Sequence, residues 1–392
     1  MKIKRLKASI IKDTRGDKTI QISLTTDFGD FISSSPNGKS KGEYEMKSWR
    51  GRIESDVQAV NNYPIYDIEI NKFDDLSLVE DIFIKRVGGN TMIALEYAFL
   101  KALATKDDKE IWQLINNNLR NPRFPMPVGN AIGGGAHSNG KKPDFQEFHF
   151  IPEAGSFEDA VKINKRAREN CKTILKNLDS GFKEKTNDEN AWQTTFDNEQ
   201  VIEIMQDVKE NMIDEFGCKM HIGIDVAASE FFSNKNKNYT YKNKKENLKR
   251  QEQINKIIKI ANEIFYIEDP LEQDDFSGFS EIKNKTKSLI VGDDLTATNY
   301  NRITAACKKS SINAVIIKPN QIGSLMEVKK IVWFCMENKI KTIFSHRSGE
   351  TSEDILADLA FGFQADFIKT GICGKGRDEK LNRMIEIERS LG

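Results

Sequence analysis

In the second half of the chain, short apolar runs stop again and again at a charged or hydrogen-bonding residue. KMHIGI ends at Asp225, IFYI at Glu268, SLIVG at Asp293, NAVII at Lys318, KTIF at Ser345 and His346, and ADFI at Lys369. Runs of this length, rich in β-formers and bounded by polar residues, predict buried parallel strands, and the stretches between them carry helical spacing. A β/α barrel gathers the residues at successive strand ends around one mouth, where barrel enzymes place their chemistry. Acids, lysines and a histidine converging there predict an enzyme with a metal site and a proton-transfer pair.

The start of the chain reads differently. IKRLKASIIKD and TIQISLTTDFGDFISSS, separated by the turn DTRGD, predict an antiparallel sheet with alternating faces. Helical spacing follows over Gly89 to Ala104, with Met92, Leu95, Ala98 or Phe99, and Leu100 on one face. NPRFPMPVGN then interrupts regular structure with three prolines, which places a domain boundary near Asn121. The predicted architecture is an N-terminal α+β domain over 1–121 followed by an α/β barrel over 122–392. At 392 residues the chain has room for both, since a barrel takes roughly 250 residues.

Downstream of the boundary, Ser156 and Asp159 mark a helix start. Phe157, Ala160, Val161, Ala167, Cys171, Ile174 and Leu178 form its apolar stripe. A second helical pattern runs from about Leu248 to Phe265. The Lys/Asn-rich run between Asn234 and Lys249 reads as a solvated loop. The arginines and further aromatics of a nucleic-acid patch do not accompany Tyr239 and Tyr241.

Lys+Arg equals Asp+Glu at 59 each, so no global charge draws the chain to nucleic acid or an anionic membrane. An anionic ligand must be held by local charges. Five dispersed cysteines without a CxxC pair argue against a disulfide framework or zinc site and fit a reducing compartment. No apolar stretch of signal-peptide or spanning length is present, and the expected location is the cytoplasm.

Asp225, Glu268 and Asp293, each at a strand end and without cationic partners of their own, would repel one another. A hard divalent cation relieves that repulsion, and all-oxygen ligation favours magnesium or manganese over zinc. Each acid by itself reads more readily as a helix cap or a loop charge; their register on successive strands favours the metal. Lys318 and Lys369 are expected to begin in desolvated strand ends, where burial would depress the pKa toward a proton-accepting amine. A lysine snorkelling at the rim is the plainer alternative. Beside His346, Arg347 and Ser348 supply a fork of donors and a hydroxyl suited to phosphate or carboxylate. IGGGAH before His137 reads as a flexible loop or a phosphate cradle. Glu147 and Glu189 would yield a general acid if paired, although their spacing does not show a pair.

The stretches IGIDVAASEF, IEDPLEQDD, VGDDLTATN, IIKPNQIGS, SHRSGET and FIKTG strongly resemble enolase, the glycolytic phosphopyruvate hydratase, and the likeness runs over essentially the whole chain. DTRGDKT resembles the family's opening motif, PNGKSKGEYE its mobile serine loop, and GGGAHSNGKKPDFQEF its histidine loop and Gln-Glu strand. The resemblance implies an enolase-type eight-stranded α/β barrel and two magnesium ions. Asp225, Glu268 and Asp293 would hold the first, and Ser40 would help bind the second, which arrives with substrate. It further implies that Lys318 takes the C2 proton of 2-phosphoglycerate, and that Glu189, supported by Glu147, helps the C3 hydroxyl leave. Lys369 would contact the substrate carboxylate, and Arg347 and Ser348 the phosphate. Gln146, His137 and His346 would line the pocket. A homodimer or larger homo-oligomer is the family's usual assembly.

The chain departs from the family pattern at Lys39 and Lys41 in the serine loop, in NDENAWQT around Glu189, and in GKGRDEK near the end. Superfamily relatives acting on other carboxylates carry base lysines on an early barrel strand, and no such motif is present here. A non-catalytic paralogue would not be expected to keep every candidate catalytic residue.

Overall fold

The protein is described by a computed structural model covering residues 1–39, 42–64 and 68–392. Strands β1 (Ile3–Lys12), β2 (Lys18–Thr26) and β3 (Gly29–Ser34) form an antiparallel sheet in that order. The β1–β2 turn is the predicted DTRGD segment. Asp13 accepts hydrogen bonds from the backbone N–H of Arg15 and Asp17, and Gly16 takes a φ of 84° that suits glycine. Ile20, Ile22 and Leu24 of β2 point inward.

The helix Gly89–Asp107 lies under this sheet and is buried on nearly every side, not along a single face as its spacing suggests. Its other side meets the second domain, where Asn320 donates to Asn90 and the Leu325 N–H to Glu96. Helix periodicity reports one packed face. A helix wedged between two layers has two.

Eight strands then close a barrel. In chain order they are β4 (Met126–Gly133), β5 (Glu147–Glu153), β7 (Lys219–Asp225), β11 (Tyr266–Glu268), β12 (Leu289–Gly292), β13 (Ala314–Ile317), β14 (Lys341–Ser345) and β15 (Phe367–Lys369). β15 pairs with β4 to close the ring. Short β6 (Trp192–Gln193) hangs on the edge of β4. All barrel neighbours are parallel except β5, which runs antiparallel to both β4 and β7. A loop holding a single 3-10 turn (Gly135–His137), not an α-helix, joins β4 to β5, so the chain returns in the opposite direction. The start of β5 therefore lies at the same rim as the ends of its neighbours, in register with Asp225.

Inside the barrel, Val128, Ile151, Tyr266, Val291, Ala314, Ile316, Ile343 and Phe367 make a separate apolar plug. The plug fills the interior below the polar mouth, as barrel interiors require. The larger core lies between the strands and the outer helices. The helix Phe157–Leu178 is capped as expected, with Ser156 Oγ accepting from the Asp159 N–H, although Leu178 itself is 63% exposed and lies off the buried stripe.

Two sequence expectations need correction here. The Lys/Asn-rich run is not a loop. It forms the meander β8 (Phe232–Ser233), β9 (Asn238–Tyr241) and β10 (Glu246–Lys249), pinned by the buried rings of Tyr239 and Tyr241. The helix that follows spans only Arg250–Ile260, because Leu248 belongs to β10. All five cysteines are unpaired.

Candidate active site

Strand ends from around the barrel converge on one pocket at its mouth. It is lined by His137, Glu147, Glu189, Asp225, Asp293, Lys318, His346, Arg347, Ser348 and Lys369, with Gly38, Lys39 and Glu45 closing over it from the N-terminal domain. Glu268 lies beneath, fully buried. The described residues thus bring together the predicted acids, lysines and histidines. Ser40 and Lys41 lie outside the described residues.

Lys369 occupies the centre. Its Nζ donates to both oxygens of Glu268 at 2.9 Å and lies 3.0 Å from Glu147 and 3.6 Å from Asp225. Lys318 donates to Asp293 at 2.5 Å. These pairings correct two expectations. The acids do have cationic partners, and neither lysine is driven toward its neutral form. Burial alone would lower Lys318, but the Asp293 carboxylate raises it above its ordinary value. Burial also opposes the charge on Lys369, and Glu147, Glu268 and Asp225 together hold it well above the lysine range.

The carboxylates divide accordingly. Burial pulls Glu147 upward, yet Lys369 and hydrogen bonds with His137 and His149 hold it well below the usual range. Asp293 is lowered against its burial by Lys318 and Lys369. Asp225 and Glu268 are both pushed up to about 7, first by burial, and for Glu268 next by the Asp225 charge. For Asp225, Lys369 opposes that rise while Glu147 adds to it. Glu189 is also raised to about 7, by burial and then by Glu147.

The acid end is built from three segments. His137 Nδ1 lies 3.6 Å from both Glu147 and Glu189, Asn130 donates to Glu189 at 3.3 Å, and His346 stands 3.9 Å away. Two opposing carboxylates share one histidine. Burial tends to strip charge from His137, but Glu189 and Glu147 raise it overall. His346, buried and facing the Arg377 charge, is held well below its ordinary value and is neutral. Asn187 Oδ1 accepts from the N–H groups of Glu189 and Ala191, fixing the turn that presents the acid.

On the opposite rim, Arg347 places Nη1 3.0 Å from one oxygen of Glu45 and Nη2 3.2 Å from the other, and Nη1 also reaches Asn320. Ser348 Oγ accepts from Arg15 and from the Lys39 N–H. Gly38 lies so close to the guanidinium that a Cβ there would fall 1.9 Å from Nη2 and force Arg347 to shift from its place against Glu45. Gln146 donates to Asp225 at 3.2 Å.

Sequence reading missed several groups. Asp269, one residue beyond β11, has a φ of 41° and accepts from the N–H groups of Asp293 and Asp294, tying two strand ends together. His149 bonds Glu147 at 2.7 Å, and Tyr266 donates to Glu268. Each lies two residues from the acid it serves, on the same strand face, and that spacing was the available signal.

The donor set suits a hard dication. Asp293 Oδ1 is buried with no hydrogen-bond partner among the described residues, next to carboxyls that burial and mutual repulsion make costly to ionise. Among the described residues, two groups bring their donor atoms within 4.8 Å of one another: His137–Glu147–Glu189 and Asp269–Asp293–Asp294. Asp225 and Glu268 belong to neither group, and both face Lys369.

A family model described as "Enolase, C-terminal TIM barrel domain" matches residues 122–392. Proteins named enolase align along almost the whole chain. That of Methanosphaera stadtmanae is 32% identical over 97% of this chain and 95% of its own length. That of Archaeoglobus fulgidus is 34% identical over 97% and 95%, and that of Thermoplasma acidophilum 33% identical over 99% and 98%.

Proposed function

This chain belongs to the enolase family, and we infer that its barrel mouth interconverts 2-phosphoglycerate and phosphoenolpyruvate; it is a phosphopyruvate hydratase, a carbon–oxygen lyase. One observation carries the reading. One pocket at the barrel mouth holds a lysine with a carboxylate partner, a carboxyl raised to about 7, and an arginine–serine rim suited to phosphate.

The proposed roles follow from the chemistry. Removing a proton beside an ionised carboxylate places a second negative charge on the same group, so the reaction needs a base and strong charge stabilisation. Lys318 is the proposed base at C2. Asp293 now holds its ammonium, and with that carboxylate engaged as a ligand, burial would favour the neutral amine. Hydroxide leaves poorly, and Glu189, protonated below about 7, is the proposed donor at C3. Glu147 raises the Glu189 pKa, and His137 orients both carboxyls. Lys369 would receive the substrate carboxylate, and Arg347 and Ser348 the phosphate, with Gln146 and His346 walling the pocket.

We assign Asp225, Glu268 and Asp293 to a first magnesium, and Ser40 to a second. Bound there, the ions would stabilise charge building on the substrate carboxylate. Residues 1–121 are proposed as a cap over the barrel of residues 122–392, since Arg15, Lys39 and Glu45 reach Ser348 and Arg347 across the mouth. A cytoplasmic homodimer or larger homo-oligomer is the proposed form. No helix among the described residues is long and apolar enough to cross a membrane.

The test follows formation of the enol product by absorbance from 2-phosphoglycerate, with excess magnesium and then with chelator. Chelator-sensitive turnover is expected. No turnover, while an ordinary enolase works in the same buffer, would refute the reading.

A further inference from the structure

A second cavity of about 480 Å³ opens beside the active-site mouth, and Glu230 lines both. The cavity is of ligand size. Its walls carry Lys141 and Lys142 from the His137 loop, Lys242 and Lys245 from the β9–β10 turn, and the ring of Phe231. None of these four lysines forms an ion pair among the described residues. Neighbouring Lys244, by contrast, lies 3.0 Å from Glu199, and Lys256 bridges Glu199 and Glu246 at 3.1 Å each.

The nearby acids do not neutralise this cluster. Asp144 uses its carboxylate on backbone, accepting from the Lys242 N–H at 2.7 Å and the Asn243 N–H at 3.2 Å. Glu230 is exposed. Two acids against four lysines leave the cavity cationic in a chain whose formal net charge is zero. Lys142 records the crowding: burial first, then the Lys242 and Lys39 charges, hold it below the ordinary lysine value.

The arrangement is also fixed in place. Asn243 donates to the carbonyls of Lys142 at 2.8 Å and Phe196 at 3.0 Å, and Lys142 donates to the Ser138 carbonyl. The two lysine-bearing segments are thereby tied to each other and to the loop that carries His137. Holding like charges together costs energy unless an anion compensates them.

We propose that this cleft is a second anion site that collects phosphorylated carboxylates at the mouth and raises their rate of capture by the catalytic pocket. The idea rests on the activity inferred above, because the collected anion is the substrate itself. Opposite charge concentrated beside an entrance raises association rates without altering chemistry, and the gain fades once salt shortens the screening length below about 10 Å.

Two experiments test it. The first compares wild type with the K141Q/K242Q/K245Q variant, all three exposed side chains, at low and high ionic strength. An unchanged kcat is expected, with kcat/KM about 3–10-fold lower at low salt and the gap closing at high salt. Equal kcat/KM at low salt would overturn the proposal. The second experiment does not depend on turnover. Pyridoxal 5′-phosphate, a phosphate-bearing aldehyde, is condensed with the protein's amines, reduced with borohydride and mapped by peptide mass. Preferential labelling of Lys142 or Lys242, suppressed by inorganic phosphate, supports the site. Labelling scattered over surface lysines and indifferent to phosphate sinks it. An inactive wild type would refute the enolase reading, and the labelling result would still decide whether the cleft binds anions.

Discussion

Lys369 holds both oxygens of Glu268 at 2.9 Å at the centre of the barrel mouth, each side chain at most 5% exposed. Glu147 and Asp225 face the same ammonium. Replacing Lys369 with Met removes the charge that faces Glu268, Glu147 and Asp225 together, and breaking such a buried pair costs about 3–5 kcal/mol. A clearly lower melting temperature is expected for metal-free Lys369→Met, with magnesium restoring much of the stability but no turnover. Thermal melts with chelator and with magnesium check this. An unchanged metal-free melt would contradict it.

Asp225 and Glu268, both raised to about 7, make stability and metal binding depend on pH. An acid whose folded pKa lies above its unfolded value, about 4, favours folding at low pH, and that contribution is lost as pH rises through 7. These two acids should therefore cost the metal-free protein stability between about pH 4 and 7, whereas magnesium should bind more tightly as pH rises toward 7 because it displaces protons. Calorimetric titration in buffers of different ionisation enthalpy should detect that proton release. Affinity that falls with rising pH would count against these ligands.

Much of this site was legible because parallel strands in a barrel end at one rim. Asp225, Glu268, Asp293, Lys318 and Lys369 could thus be read as terminators of apolar runs. Glu147 escaped that rule because it begins β5, the one reversed strand, and a residue at the start of a run gives no such signal. Glu189 follows no strand at all and reaches the mouth on a turn held by Asn187, so only family resemblance pointed to it. The Lys369 and Lys318 ion pairs join residues 101 and 25 positions apart, and sequence spacing carries no trace of them. Expecting depressed lysines treated burial without the acids that burial brings along.

Glu147 and Glu189 share His137, and the Glu147 charge helps hold Glu189 near 7. If Glu189 acts protonated, kcat/KM for dehydration falls as pH rises past its pKa. Glu147→Gln removes a like charge, which lowers the Glu189 pKa and moves that alkaline limb to lower pH. A pH profile of kcat/KM for both proteins decides the point; a limb that stays put or moves upward would break the link.

In the proposed roles Lys318 and Glu189 act at different carbons, so their loss should separate two halves of the reaction. Lys318→Ala should lower turnover by at least about 10³-fold and also abolish exchange of the C2 proton with deuterated solvent, while magnesium still binds at the proposed Asp225–Glu268–Asp293 site. Glu189→Gln should cost about 10²–10⁴ in turnover yet keep C2 exchange, because the base remains intact. Proton NMR of 2-phosphoglycerate in deuterated buffer reads both. If the exchange vanished in Glu189→Gln and survived in Lys318→Ala, the two assignments would have to be reversed, since the group that removes the C2 proton is the one whose loss stops its exchange.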